Sequence, residues 1–274
     1  MSASPPKRTD FPLAPPIPER APDLSRRAQP DELPELMDQP CTLPELRSCL
    51  RDVAWLNGVL LGYRPILQWL ESLNLNSPGA PGLDFETRDR TKTELPIRIL
   101  DIGSGYGDTL RRIEQWARGK GIAVQLTGLD LNPHATAIAA EATPAGSRIH
   151  WVTGDVLAYE PFHPPHLILS SLMAHHLTDQ EIIRFLEWME VRAMTGWFIN
   201  DLSRNIVPYR LLYAFTRLMR LHRFVRHDGP VSIARAFVSE DWRRYCDAAG
   251  LAPSEYTIRG LTPGRLCVAR TKVK

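Results

Sequence analysis

Three aspartates close apolar runs in this chain, and the first introduces a glycine cluster. The segment Ile99-Leu100-Asp101-Ile102-Gly103-Ser104-Gly105-Tyr106-Gly107-Asp108 has the pattern of a buried strand leading into a helix. Glycines at such a junction let the backbone turn sharply and let a ligand approach the main chain. The spacing also excludes ligands. A dinucleotide fingerprint needs Gly or Ala where Asp108 stands, and a carboxylate in the first helical turn would oppose a pyrophosphate at the helix N-terminus. The lysine of a phosphate-binding P-loop is missing. Downstream, Asp130 in Gly128-Leu129-Asp130-Leu131-Asn132-Pro133 ends a second apolar run, where a carboxylate can accept from both hydroxyls of a ribose. Asp155, in Gly154-Asp155-Val156, ends a third and is placed to take the amino group of an adenine. One strand-end aspartate merely begins a turn. Three in register with a glycine loop point to a nucleoside site without a diphosphate.

A second group of side chains suits proton transfer. His175 and His176 follow a fourth apolar run, and Asp201 follows a fifth, in Asn200-Asp201-Leu202-Ser203-Arg204. Imidazole titrates near neutral pH, so one of these histidines, or Asp201, is a candidate base. His176 is the first choice because it stands one residue further from the strand. Structural alternatives remain: a histidine that caps the next segment, and an Asp201 paired with Arg204 or Arg235. Arg235 can grip an acidic substrate group through its planar fork, or anchor a lid.

The elements that would hold these residues follow from periodicity. Short apolar runs at Ile97–Ile102, Val124–Leu129, Ile149–Val152, Leu167–Leu172 and Trp197–Asn200 read as strands. Helical patterns over Asp108–Lys120, Pro133–Glu141 and Asp179–Met194 lie between them. Ser239 is expected to cap a helix over Glu240–Ala249, and Tyr256–Arg259 and Arg265–Ala269 read as two last strands. The alternation predicts an α/β fold with a largely parallel sheet and helices on both faces. Upstream, Thr42 and Pro44 start one helix, Tyr63–Leu73 forms a second, and residues 74–93 form a loop. Val207–Val225 reads as one long inserted helix, with Tyr209 and Tyr213 on an aromatic face and Arg210, Arg217, Arg220 and Arg223 beside them. The expected organisation is a disordered proline-rich tail over residues 1–30, a helical segment over 31–93, and a catalytic domain over 94–274 with a helical insertion at 205–238.

Taken together, Asp101-Ile102-Gly103-Ser104-Gly105-Tyr106-Gly107, Asp130 and Asp155 resemble the successive motifs of class I S-adenosylmethionine-dependent methyltransferases. The resemblance covers about residues 60–273. It implies a Rossmann-like seven-stranded sheet with its last strand antiparallel, and S-adenosyl-L-methionine as cofactor. Matched residue by residue, it places Asp101 and Gly103 at the methionine end and lets Gly105 approach the sugar. It puts Asp130 on the ribose, Leu131 beside the adenine, Asp155 on its amino group and the Val156 amide on a ring nitrogen. Ser171 would lie under the methionine portion. The segment Ser170-Ser171-Leu172-Met173-Ala174-His175-His176-Leu177 resembles the small-molecule branch that includes quinone and polyketide methyltransferases. It departs from the motif of amino-group and adenine methylators. The implied activity is methyl transfer (EC 2.1.1.-) to a hydrophobic small molecule, first to oxygen of a hydroxylated aromatic, polyketide or quinone-like acceptor. Carbon methylation and a non-catalytic module that keeps the fold are the rivals. Tyr209, Tyr213 and Arg235 are the candidate substrate contacts.

Composition sets the outer bounds. With 33 basic and 31 acidic residues the formal net charge is +2, which offers no wide basic footprint for nucleic acid. The four cysteines, Cys41, Cys49, Cys246 and Cys267, show no metal-ligand spacing, so no metal is expected and a reducing compartment is. No secretory apolar segment stands in residues 1–30, and the expected setting is cytoplasmic. The basic, aromatic stretch 207–226 suits a substrate lid first and a peripheral membrane contact second. A homodimer is also compatible with the chain.

Overall fold

A computed structural model describes residues 23–75 and 95–272. Seven strands form one sheet: β1 (Ile97–Ile102), β2 (Val124–Asp130), β3 (His150–Thr153), β4 (Leu167–Ser171), β5 (Gly196–Leu202), β6 (Tyr256–Leu261) and β7 (Arg265–Thr271). Their order is β3-β2-β1-β4-β5-β7-β6. The pairs within β3-β2-β1-β4-β5 are parallel, while β7 runs antiparallel to both β5 and β6. This is the Rossmann-like seven-stranded arrangement expected from the sequence. Strand order reverses between β1 and β4, so a crevice opens at the carboxyl ends of those strands, where α/β sheets bind ligands.

The strands alternate in the sense that burial on two faces requires. Ile97 and Ile99, with Leu167 and Leu169, face a core completed by Ile66, Trp69 and Leu110. Leu100, Ile102 and Ile168 face the opposite core, which holds Phe185, Trp197, Phe237 and Trp242. The first core is capped by α2 (Arg64–Ser72) and α3 (Asp108–Lys120), the second by α5 (Asp179–Arg192) and α8 (Ser239–Ala248). A helix α1 (Leu43–Val59) precedes them, and α4 (Pro133–Glu141) links β2 to β3. The Thr42 side chain accepts from the Glu45 amide while Glu45 accepts from the Thr42 amide, a capping box that fixes where α1 begins. Val238, not Ser239, is the N-cap of α8; its amide donates to Asp241 Oδ2 at 3.0 Å.

Two expectations change. The single helix over Val207–Val225 is instead α6 (Ile206–Leu218) followed by α7 (Arg223–Arg235). Arg220 sits between them with φ +50°, a left-handed residue that no helix can contain. The His222 amide donates to Asp52 Oδ2 on α1 at 2.7 Å, which ties the break to a neighbouring helix. Arg235 closes the last turn of α7.

The second change is at the N-terminus. Residues 1–22 of the expected tail, and 76–93 of the expected loop, lie outside the described residues. Residues 23–30, also drawn as tail, pack on the body. Arg27 is buried, donating to Asp179 Oδ1 at 2.7 Å, to the Leu177 carbonyl at 2.6 Å and to the Arg235 carbonyl at 2.8 Å. Proline bars ladders and helix interiors; it does not bar an extended strap whose polar side chains find fixed partners.

Candidate active site

The crevice above the switch point is a cavity of about 670 Å³, within the range of small-molecule sites. Its lining includes Asp101, Gly103, Gly105, Asp130, Leu131, Asp155, Val156, Ser171, His175 and His176. The fold therefore gathers every candidate for the nucleoside site, together with the two histidines, around one space.

The glycine loop owes its shape to local sterics. Gly103 has φ +70°, and a Cβ there would come within 2.4 Å of Met173. Gly107 has φ +74°, and a Cβ would come within 2.2 Å of the Trp151 ring. Both the backbone region and the space thus demand glycine. Asp130 pins the loop from β2: Oδ2 accepts the Gly105 amide at 2.8 Å and Oδ1 the Asn132 amide at 2.9 Å. Burial raises its carboxyl above the usual range, although those two amides pull the other way. Asp155 accepts the Leu157 amide at 2.9 Å. Leu131 is 73% exposed on the rim of the cavity.

Asp101 is different. It ends β1, is buried, and its Oδ1 has no hydrogen-bond partner. Burial first, then Asp108 and Asp130, raises its carboxyl well above the usual range. A buried carboxylate oxygen without a partner is costly unless a ligand completes it. Asp108, which the sequence showed only as an obstacle to pyrophosphate, receives the Tyr63 hydroxyl at 2.6 Å.

The proton-handling group is also assembled, with partners that the sequence did not announce. His175 is 3% exposed, and its Nδ1 faces Asp201 Oδ1 at 2.7 Å while its amide donates to Asp201 Oδ2 at 3.2 Å. Asp201 is fully buried; burial would raise its carboxyl, but His175 leads the groups that hold it below the usual range. The alternative pairings are excluded: Arg204 pairs with Asp241 at 2.8 Å, and Arg235 faces Glu35 and Asp38. With Nδ1 on Asp201, His175 presents Nε2 toward Glu35 Oε1, 3.6 Å away.

His176, the first candidate for base, sits between two acids. Its Nδ1 lies 3.1 Å from Asp38 and its Nε2 3.7 Å from Glu35 Oε2. Burial disfavours the charged ring, yet Glu35 and Asp38 outweigh it and raise its pKa to about 9, while Asp38 falls to about 2. A ring raised that far favours its charged form at neutral pH, which disfavours His176 as a proton acceptor. Glu35, His175 and His176 have the donor atoms of a metal group. The Arg235 guanidinium lies 3.5 Å from Glu35 in the same cluster.

The candidate substrate contacts are not brought to the cavity. Arg235 is fully buried, donating from Nε to the His175 carbonyl at 3.0 Å and reaching Asp38 at 3.3 Å. It is a post beneath the histidines. Tyr209 is buried and Tyr213 exposed, their rings stacked 6.4 Å apart, and neither lines the cavity. The residue of α6 that does is Leu212, opposite Leu46, Leu50, Val53 and Leu56 of α1 and Val225 of α7. Glu35 and Asp38, both missed, come from the strap before α1. No local pattern reveals them, because their partners lie far along the chain.

Comparison with known proteins follows the same lines. Residues 99–193 match a family model described as a methyltransferase domain. Among solved structures, the plantazolicin methyltransferase BpumL with SAH aligns with TM-score 0.57 at 14% identity, over 84% of this chain and 96% of that one. BpumL with a monoazolic desmethylPZN analog and SAH gives 0.56 at 14% identity, over 85% and 96%. Human N-acetylserotonin methyltransferase with SAM gives 0.55 at 13% identity over 85% of this chain, which spans 57% of that longer protein. These likenesses establish a class I methyltransferase fold. No curated protein matches the chain in sequence.

Proposed function

We propose, for a chain whose residues 99–193 form a methyltransferase domain on the class I fold, that it transfers a methyl group from S-adenosyl-L-methionine to oxygen of a hydrophobic small molecule. The observation that carries the reading is the orphaned Asp101 Oδ1, buried near the end of β1 beside the glycine loop that lines the same cavity. A cationic amino group in that space satisfies it, and the residues present fit the methionine end of the cofactor. Gly103 and Gly105 leave room for close approach. Asp130 holds the ribose hydroxyls, Leu131 covers the adenine, and Asp155 with the Val156 amide reads its edge. Ser171 floors the methionine portion; its Oγ already accepts from Asn200 Nδ2 at 3.2 Å, which fixes its direction.

When bound, the cofactor supplies a methyl on a sulfonium, whose charge disperses during in-line displacement. The protein's own work is alignment in a dry space and removal of the acceptor's proton. Asp201 orients the His175 ring and stabilises it when it becomes charged, the logic of a carboxylate behind a base. His176 and Arg235 hold the neighbouring acids so that Glu35 and Asp38 do not sit as free charges over the acceptor. The apolar walls from α1, α6 and α7 suit an aromatic or polyketide-like body, and in BpumL the crystallised ligand is an azole-bearing analog.

The test uses methyl-labelled S-adenosylmethionine with a panel of phenols and quinols. The wild type should turn over, with the label on oxygen. His175→Ala and Asp201→Asn should each lower kcat by about 10²–10⁴-fold while cofactor affinity persists. Label on carbon would favour the C-methylating reading. Tight cofactor binding without turnover across the panel would favour a non-catalytic module.

A further inference from the structure

Helix α6 is turned the unexpected way. An amphipathic helix on a globular protein normally presents polar residues outward. On α6 the outward positions are Val207, Arg210, Leu211, Ala214 and Leu218, spaced three and four apart, while Tyr209 and Thr216 face in. Leu211 is 62% exposed and Leu218 79%. The stripe continues onto α1, because Trp55 stacks on Phe215 with centroids 6.3 Å apart and planes 9° from parallel, and Trp55, Val59 and Leu61 are exposed there too. Contiguous apolar surface of this kind marks an interaction site.

The charges around the stripe select its occupant. Arg210 and Arg220 are exposed on α6 and its end, Arg226 follows on α7, and no acidic residue occurs from Val207 to His227. The nearest carboxylates on α1 are already engaged, Glu45 with Arg223 at 2.8 Å and Asp52 with the His222 amide. A second copy docked on the same stripe across a two-fold axis would set arginine against arginine. An anionic lipid surface instead takes the arginines at headgroup level and the leucines and tryptophan below it. We propose that the α6 stripe, extended by Trp55 and Val59 of α1, docks this protein on an anionic membrane surface. Among the described residues no helix is long and apolar enough to cross a membrane, so the contact is peripheral. Resting on the methyltransferase reading, one consequence follows: Leu212, on the same helix, lines the acceptor end of the cavity, so docking brings that end to a phase in which hydrophobic acceptors concentrate.

The experiment is vesicle flotation of the full chain with phosphatidylcholine alone and with added phosphatidylserine. Binding should require the anionic lipid and fall with salt. Arg210→Gln and Arg220→Gln should each lower partitioning about five-fold, and Leu211→Glu with Leu218→Glu should abolish it. Unchanged melting temperature and unchanged calorimetric affinity for S-adenosylmethionine show that the variants remain folded, and they keep a failure here separate from a failure of the methyltransferase reading. No flotation of the folded wild type with anionic vesicles, or flotation indifferent to the leucine substitutions, overturns the proposal. A concentration-dependent dimer that the leucine substitutions dissociate, without vesicle binding, assigns the stripe to a second copy instead.

Discussion

Replacing Asp101 by asparagine should make the cofactor-free protein more stable and the cofactor bind less well. The carboxyl is 2% exposed, Oδ1 has no partner, and Asp108 and Asp130 stand near enough to repel its charge. Because folding raises its pKa, the folded state holds the proton more tightly than the unfolded chain does. Stability is therefore lost as pH rises from the ordinary carboxylate range through the raised value, and below that range the residue makes no difference. Asparagine cannot ionise. At neutral pH the variant should gain about 1–3 kcal/mol, the usual penalty of an unsatisfied buried group. For a chain of this size that is a rise in Tm of about 2–10 °C. The gap should close as the pH falls into the acid range. Losing a charge-assisted bond to the amino group should weaken S-adenosylmethionine by about 1.5–3 kcal/mol, roughly 10- to 150-fold. Scanning calorimetry across pH and titration calorimetry read the two effects separately. A variant that melts lower at neutral pH, or a gap that widens in acid, refutes the electrostatic reasoning. Unchanged cofactor affinity refutes the assignment of the site.

Two further substitutions test neighbouring parts of the argument. Asp130→Ala removes the acceptor for the Gly105 and Asn132 amides as well as for the ribose. Titration calorimetry should show S-adenosylmethionine weakened by about 1–3 kcal/mol. Arg27→Met should destabilise the protein by about 1–3 kcal/mol in denaturant unfolding, a modest figure because Asp179 stays partly in water; an unchanged midpoint would make the strap incidental.

What the sequence disclosed has a physical boundary. The sheet, and the gathering of the strand-end candidates around one cavity, were legible because both are local. Alternation at Ile97, Ile99, Leu100 and Ile102 sorts side chains between two cores, and parallel strands deliver Asp101, Asp130, Asp155 and Ser171 to one edge. The acceptor end was not legible, because its geometry is tertiary. His176 stands beside His175 in sequence, yet Asp38 and Glu35 flank one ring while Asp201 pairs with the other. Periodicity carried a helix through Arg220, since nothing in that residue type announces a left-handed backbone. Tyr209 and Tyr213 drew notice as aromatics on an inserted segment, but the rotation of α6, which only packing decides, turned Leu212 to the cavity instead.

The same boundary locates specificity. A cofactor site built from strand ends can persist while the walls above it change, since those walls come from segments that the sheet does not constrain. Here they are the strap at Glu35 and Asp38, the α1 face at Leu46, Leu50, Val53 and Leu56, and the α6–α7 pair at Leu212 and Val225. The strap is pinned at several points: the Leu36 and Met37 amides on Asp228 at 2.8 and 3.0 Å, the Ser232 hydroxyl on Glu35 at 2.9 Å, Arg235 beside Glu35 and Asp38, and buried Arg27 on Asp179. With the strap fixed in this way and Leu212 of α6 lining the cavity, acceptor entry is expected under α6, from the surface that α6 faces.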